Sequence, residues 1–253
     1  MSLRLATILL LFTVWTLGAA VCGHAEPTGY LNRISRANDL YLNKKYREAA
    51  GIYEDLIGQG LQNGYLYYNL GNTYMRLDKI GPAILNYIKA KRLLPRDESL
   101  NANFRYAFRK TKDQIEPTST GWLRTIFFWL DDFNLREHLQ ILVFISLLFW
   151  ITVTFWYIRR TGGWDLARKS MLTILLTSLI STGAKIGVES HSRIGVVLPV
   201  EMDVKSALGP ENVTLFQLHE GAIVSVLDHQ EGWYRIDLSD GNNGWVPENF
   251  IGL

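Results

Sequence analysis

The histidines His138, His191, His219 and His229 stand far apart, with none of the short spacings by which imidazoles share a metal ion. Asp131 and Asp132 form a carboxylate pair, but beside a long apolar stretch they read as helix-capping charges rather than as an acid and a base. There is no glycine-rich phosphate loop and no serine in a nucleophile elbow. The only cysteine, Cys22, lies in an N-terminal secretion-type segment, so a chain that loses that segment keeps no thiol. The expectation is a protein that is not an enzyme and takes no cofactor or metal. What remains is recognition chemistry. Amides, phenols and a thioether recur at helical spacing in Asn38, Tyr41, Tyr65, Tyr68, Asn69, Asn72 and Met75. An aromatic and proline group, Trp233, Pro247 and Phe250, lies in a tail of short apolar runs.

The elements that position these residues differ along the chain. Apolar residues are gathered into blocks, which favours several small units over one large core. With 26 basic and 24 acidic residues the net charge is only +2, and no Lys/Arg run exceeds two, so nucleic acid is not an expected partner.

Residues 1–25 combine Arg4, the apolar stretch Leu5 to Leu17, and the small residues Gly18, Ala19 and Ala20, the pattern of a signal peptide. Cleavage after Gly23 or after Ala25 suits the small-residue requirement. Lipid attachment at Cys22 and retention as an uncleaved anchor are the alternatives. Leu139 to Ile158 carries no charge and is long enough for about 30 Å of hydrocarbon, with Trp150, Trp156 and Tyr157 suited to the interface. A second span, residues 170–188, is richer in Ser and Thr and holds Lys185, which is expected to snorkel near the outer end. Between them Arg159, Arg160, Arg168 and Lys169 oppose Asp165 alone, which assigns the loop 159–169 to the cytoplasm and both flanking segments to the outside. Ahead of the first span, in residues 121–138, Trp122, Leu123, Ile126, Phe127 and Leu130 recur at helical spacing. That stripe suits an interfacial helix, an extension of the membrane helix, or a docking helix for the N-terminal segment.

A period of 34 residues runs through the N-terminal segment: Ala37 pairs with Gly71, Leu40 with Tyr74, Ala49 with Ala83 and Tyr53 with Tyr87. In the second copy Tyr67, Leu70, Gly71, Tyr74, Ala83, Tyr87, Ala90 and Pro95 match the tetratricopeptide (TPR) pattern, which this segment resembles. The first copy has Arg36 and Leu61 where the second has Leu70 and Pro95. A third copy starts with Phe104 and Phe108, but Arg105 replaces the close-packing glycine, so Leu100 to Ile115 is expected as a capping helix. Two repeats and a cap, residues 30–116, fall short of the usual three and should lean on the Trp122 helix or on a partner. The resemblance implies a binding groove lined by Asn38, Tyr41, Tyr65, Tyr68, Asn69, Asn72 and Met75. A carboxylate clamp is incomplete, because Ile34, Ser99 and Asn103 stand where basic residues belong. Asn69 is equally suited to bonding within the stack.

In residues 192–253 five short strands, Val196–Val200, Val213–Leu218, Ala222–Leu227, Trp233–Leu238 and Gly244–Val246, alternate with turn signals such as Leu208-Gly-Pro and Asp240-Gly-Asn-Asn-Gly. They suggest a small closed barrel. The runs His219-Glu-Gly-Ala-Ile-Val, Glu231-Gly-Trp-Tyr-Arg-Ile and Gly244-Trp-Val-Pro-Glu-Asn-Phe-Ile resemble the bacterial SH3 family. Trp233, Pro247 and Phe250 occupy places comparable to its peptide groove. The absence of aromatic residues from Val197 to Val200 argues against a polyproline groove. Binding to cell-wall peptide or protein, and a purely structural role for Trp233 and Phe250, both remain open.

The fold class is therefore multidomain α plus β: all-α TPR helical repeats, two transmembrane helices and a C-terminal all-β SH3-like barrel. This order of parts, with Asn63-Gly-Tyr-Leu-Tyr-Tyr-Asn-Leu-Gly-Asn and Gly81-Pro-Ala-Ile-Leu-Asn-Tyr, resembles the aerotolerance-operon E proteins (BatE) of Gram-negative bacteria. The resemblance implies an inner-membrane protein with both soluble modules in the periplasm, acting in an envelope stress system. Its implied partners are von Willebrand A-type membrane proteins and a MoxR-type ATPase. The function classes left open are a protein scaffold whose tethered modules make two weak contacts, a cell-wall tether or sensor, and an accessory subunit of a membrane enzyme.

Overall fold

The computed structural model describes residues 28–115, 128–191 and 193–253. The expected signal peptide, Cys22 and the Trp122 to Phe127 part of the aromatic stripe lie outside the described residues. The chain divides into two compact units. One combines the N-terminal helices with the C-terminal sheet, and the other holds two long apolar helices.

In the first unit, five helices follow one another: α1 (Thr28–Leu42), α2 (Tyr46–Gly58), α3 (Gly64–Arg76), α4 (Ile80–Leu93) and α5 (Glu98–Phe108). Each packs on the next because each buries one stripe at helical spacing. Ala49, Tyr53 and Leu56 form it on α2, Leu66, Leu70 and Thr73 on α3, and Ala83, Tyr87 and Ala90 on α4. Asn63 caps α3 by accepting from the Tyr65 and Leu66 N–H groups, and Asp97 caps α5 through the Leu100 N–H. A Cβ on Gly71 would come within 2.7 Å of the Tyr87 ring, so the second helical hairpin closes only over a hydrogen.

The expected cap helix Leu100 to Ile115 is shorter than foreseen. The helix ends at Phe108, and the Thr111 hydroxyl donates to the Phe108 carbonyl at 2.7 Å, turning the chain away.

Seven antiparallel strands make up the C-terminal part: β1 (Ile194–Val197), β2 (Glu201–Lys205), β3 (Thr214–His219), β4 (Ile223–Gln230), β5 (Trp233–Asp237), β6 (Asn243–Pro247) and β7 (Ile251–Gly252). Their order in the sheet is β3-β2-β6-β5-β4-β1-β7. Five strands were expected. The strand β2 was missed because only Met202 and Val204 are apolar, alternating with Glu201, Asp203 and Lys205, and β7 has only two residues. Val197, Val204, Leu218, Val224, Ile236 and Val246 fill the core on one side of this sheet.

The sheet and the helices share a second core. Val196 and Ile223 of the sheet are buried together with Ala83, Ile84, Tyr87 and Leu100 of the helices. The turn between β3 and β4 is clamped from the helical side. Glu220 accepts the Gly81 N–H at 2.9 Å, at the second residue of α4, where Lys79 supplies no side-chain cap. Asp113 accepts the His219 backbone N–H at 2.6 Å and its ring Nδ1–H at 3.1 Å, while the Lys112 ammonium lies 2.7 Å from His219 Nε2. Gly221, with φ at +85°, lets the turn approach Thr111 and Ile84 closely. The helices therefore lean on the sheet, a support that the sequence reading, which named the Trp122 helix or a partner, did not foresee.

The second unit contains α6 (Leu135–Arg159) and α7 (Gly162–His191), both long and apolar enough to cross a membrane. Asn134 and Glu137 form a reciprocal capping box at the start of α6. The expected loop 159–169 contracts to Arg160 and Thr161, because Arg168 and Lys169 pair with Asp165 one turn back at 2.8 Å and extend α7. Lys185 was expected to snorkel near the outer end of its span. It is buried and donates to the Leu130 carbonyl at 2.7 Å, while Trp129 Nε1 donates to Ser181 at 2.9 Å. The short turn Phe128–Leu130 is thereby pinned to α7, and no long helix occupies residues 128–134.

Candidate functional site

The helical face is organised by a hydrogen-bond ladder that repeats at the sequence period. Asn38 Oδ1 accepts the Tyr53 hydroxyl at 2.6 Å and the Asn69 side-chain amide at 3.1 Å. Thirty-four residues on, Asn72 Oδ1 accepts the Tyr87 hydroxyl at 2.8 Å and the Asn103 amide at 2.9 Å. Asn103 also donates to the Tyr68 hydroxyl at 3.0 Å. Each rung ties the first helix of one hairpin to its own second helix and to the next hairpin. Burial pushes the Tyr53 hydroxyl up to about 12 and raises that of Tyr87, so both stay neutral donors.

This ladder divides the expected groove residues. Asn38, Asn69 and Asn72 are committed to the stack, which leaves the amide nitrogens of Asn38 and Asn72 outside the ladder. Tyr65 is 57% exposed, Tyr41 and Tyr68 are half-buried, and Met75 packs beside the shared core. Arg76 Nε donates to the Tyr41 hydroxyl at 3.5 Å, so this basic residue joins the face where Ile34, Ser99 and Asn103 supply none. Asn103 was foreseen only as a gap in a carboxylate clamp. Its offset of 34 from Asn69 was the signal that marks it as a rung.

The sheet carries the second face. Trp233 and Pro247 are cross-strand partners on β5 and β6. Together with Phe250 they line a groove of about 490 Å³ whose other walls are Glu201, Met202, Asp203, Lys205, Pro210 and Gln217. Phe250 also packs against the sheet core, so the groove floor and the core are continuous. Asp203 accepts from Gln217 Nε2 at 3.1 Å, Lys205 Nζ at 3.2 Å and the Thr214 hydroxyl at 3.1 Å. These bonds, Gln217 first and Lys205 next, hold its carboxyl below the ordinary carboxylate range. The acidic wall was overlooked with β2, although the alternation from Glu201 to Lys205 places its polar residues on one side.

Among the described residues no group of three or more His, Cys, Asp or Glu side chains is gathered as a metal site. A separate hollow of about 300 Å³ in the second unit is lined by Trp129, Phe133, His138 and the hydroxyl-bearing side of α7. No protein-family model matches the chain, and no curated protein matches it.

Proposed function

We propose that this chain is a non-enzymatic scaffold of the bacterial inner membrane, in which TPR-like hairpins and an SH3-like barrel display two recognition faces in the periplasm. The observation that carries this reading is the shared core of Ala83, Ile84, Val196 and Ile223, which joins segments separated in sequence by two membrane-length helices. Segments that fold together lie on one side of any membrane, so the helices cross as a pair, in keeping with the basic residues Arg159, Arg160, Arg168 and Lys169 between them. The ladder-stiffened face and the Trp233 groove then form one rigid display for a single partner assembly. The BatE-like order of parts nominates von Willebrand A-type envelope proteins and a MoxR-type ATPase system as that assembly.

The test compares partner retention in crosslinked membranes for Tyr68→Ala, Trp233→Ala and the double variant at equal abundance. Each single change is expected to reduce retention and the double change to abolish it. Intact retention in the double variant would refute the scaffold. The acid-walled groove supports a second reading, a tether or sensor for cell-wall peptide, in which muropeptides rather than proteins would be captured.

A further inference from the structure

The cations at the turn between α6 and α7 are of two kinds. Arg168 and Lys169 both lie 2.8 Å from Asp165, and the Arg168 guanidinium also sits 4.2 Å from the centre of the Trp156 ring. Arg159 and Arg160 are exposed, and neither has a carboxylate partner among the described residues. The Arg160 guanidinium rests 5.5 Å from the Tyr157 ring, a contact that leaves its N–H donors open. Asp165 thus occupies one pair of cations, and the uncompensated charge is concentrated on two consecutive arginines.

These arginines stand among apolar side chains. Phe155, Tyr157 and Ile158 on α6 and Leu166 on α7 are exposed, and Phe155 stacks on Trp164 with ring centres 4.9 Å apart. A soluble polyanion would satisfy the guanidinium donors but leave Ile158 and Leu166 in water. A zwitterionic lipid would cover the apolar residues but bring its own ammonium beside two arginines. An amphiphile with a net negative phosphodiester head meets both demands. Its phosphate oxygens accept paired bonds from a guanidinium, and its acyl chains lie along the apolar helix surface.

We propose that Arg159 and Arg160 hold the headgroup of an anionic phospholipid at the end of the helix pair, and that Arg168 and Lys169, spent on Asp165, take no part in holding it. The assignment goes beyond the scaffold reading, since no partner protein enters it, and it rests on α6 and α7 lying in a bilayer. A diffuse attraction between the turn and a negative surface would weigh all four cations alike. A lipid seated on two of them does not.

The test uses the full chain in mild neutral detergent, mixed with palmitoyl-oleoyl phosphatidylglycerol and phosphatidylcholine in equal amounts, and reads the lipid retained per chain by native mass spectrometry. Phosphatidylglycerol is expected to be retained at least about tenfold over phosphatidylcholine. Arg159→Gln and Arg160→Gln should each lower that preference about fivefold, and the double variant should nearly abolish it. Lys169→Gln removes the same charge and should leave the preference within about twofold of its original value. Glycerophosphoglycerol, the same head without chains, should not displace the lipid at equal concentration. Equal retention of the two lipids by the unaltered chain, or equal losses from Lys169→Gln and the arginine changes, would overturn the assignment. Displacement by the chainless head would overturn a lipid as the occupant. An unchanged melting temperature is expected for the variants at the exposed Arg159 and Arg160, and the comparison of lipids on the unaltered chain needs no variant. Carbonate extraction of cell membranes separates this result from the reading of the spans: absence of a lipid preference in a chain that resists extraction refutes the headgroup site and leaves the spans standing.

Discussion

At the scale of single residues, two positions separate close packing from capping. Gly71 faces Tyr87 across the second hairpin with room for a hydrogen only, and Gly71→Leu should cost roughly 1 to 3 kcal/mol by overpacking. A lowered melting temperature of the full chain, followed by circular dichroism, is the expected result, and unchanged melting would remove the close-approach argument. Glu220 acts differently, because it completes a helix to which it does not belong. Its carboxylate sits at the positive end of α4 and satisfies an N–H that the helix itself leaves open. Glu220→Ala should cost about 0.5 to 2 kcal/mol, the range for loss of a helix cap. Glu220→Gln, which keeps an oxygen acceptor, should recover part of it.

At the scale of elements, what was legible followed from periodicity and what was missed followed from its absence. The repeat from Ala37 to Tyr87 was readable because small and large residues recur at fixed offsets and pack with those same residues in the structure. The strand β2 and the contraction of the basic loop were not, since a strand with three charged residues resembles a loop and a helix start resembles a turn. Trp233, Pro247 and Phe250 could be grouped by spacing, but their neighbours Glu201 and Gln217 come from strands whose pairing no local pattern announces. The same long-range dependence bears on stability. Ile84, fully buried in the shared core, and Ile80 would be uncovered in a fragment of residues 28–115. That fragment should show weak helical circular dichroism, and adding a separate 193–253 segment should increase it. A fragment that melts like the full chain would mean that the hairpins need no support from the sheet.

For the whole molecule, the position of the two long helices between the halves of one folded unit constrains both topology and mechanism. Reporters fused after Thr118 and after Leu253 should register the same compartment, outside, and one after Gly163 the inside; opposite signals at the first two would break the pairing of α6 with α7 as spans. Rigidity changes how two weak contacts combine. A flexible tether lets each face bind alone and supplies a high effective concentration for the second, whereas a rigid body adds the contacts only for a partner with matching spacing. Gly221 is the point at which this can be disturbed without touching either face. Its φ of +85° is strained for any β-branched residue, and a Cβ there would come within 2.6 Å of Thr111 Cγ2. Gly221→Val should therefore displace the β3–β4 turn from the helices while leaving Tyr68 and Trp233 in place. If one partner engages both faces, retention in crosslinked membranes should fall in this variant to the level of the weaker single-face variant or below, at equal abundance. Full retention, with loss of the helix–sheet contact verified by a lowered melting temperature, would show that the faces act independently and that their fixed spacing carries no function.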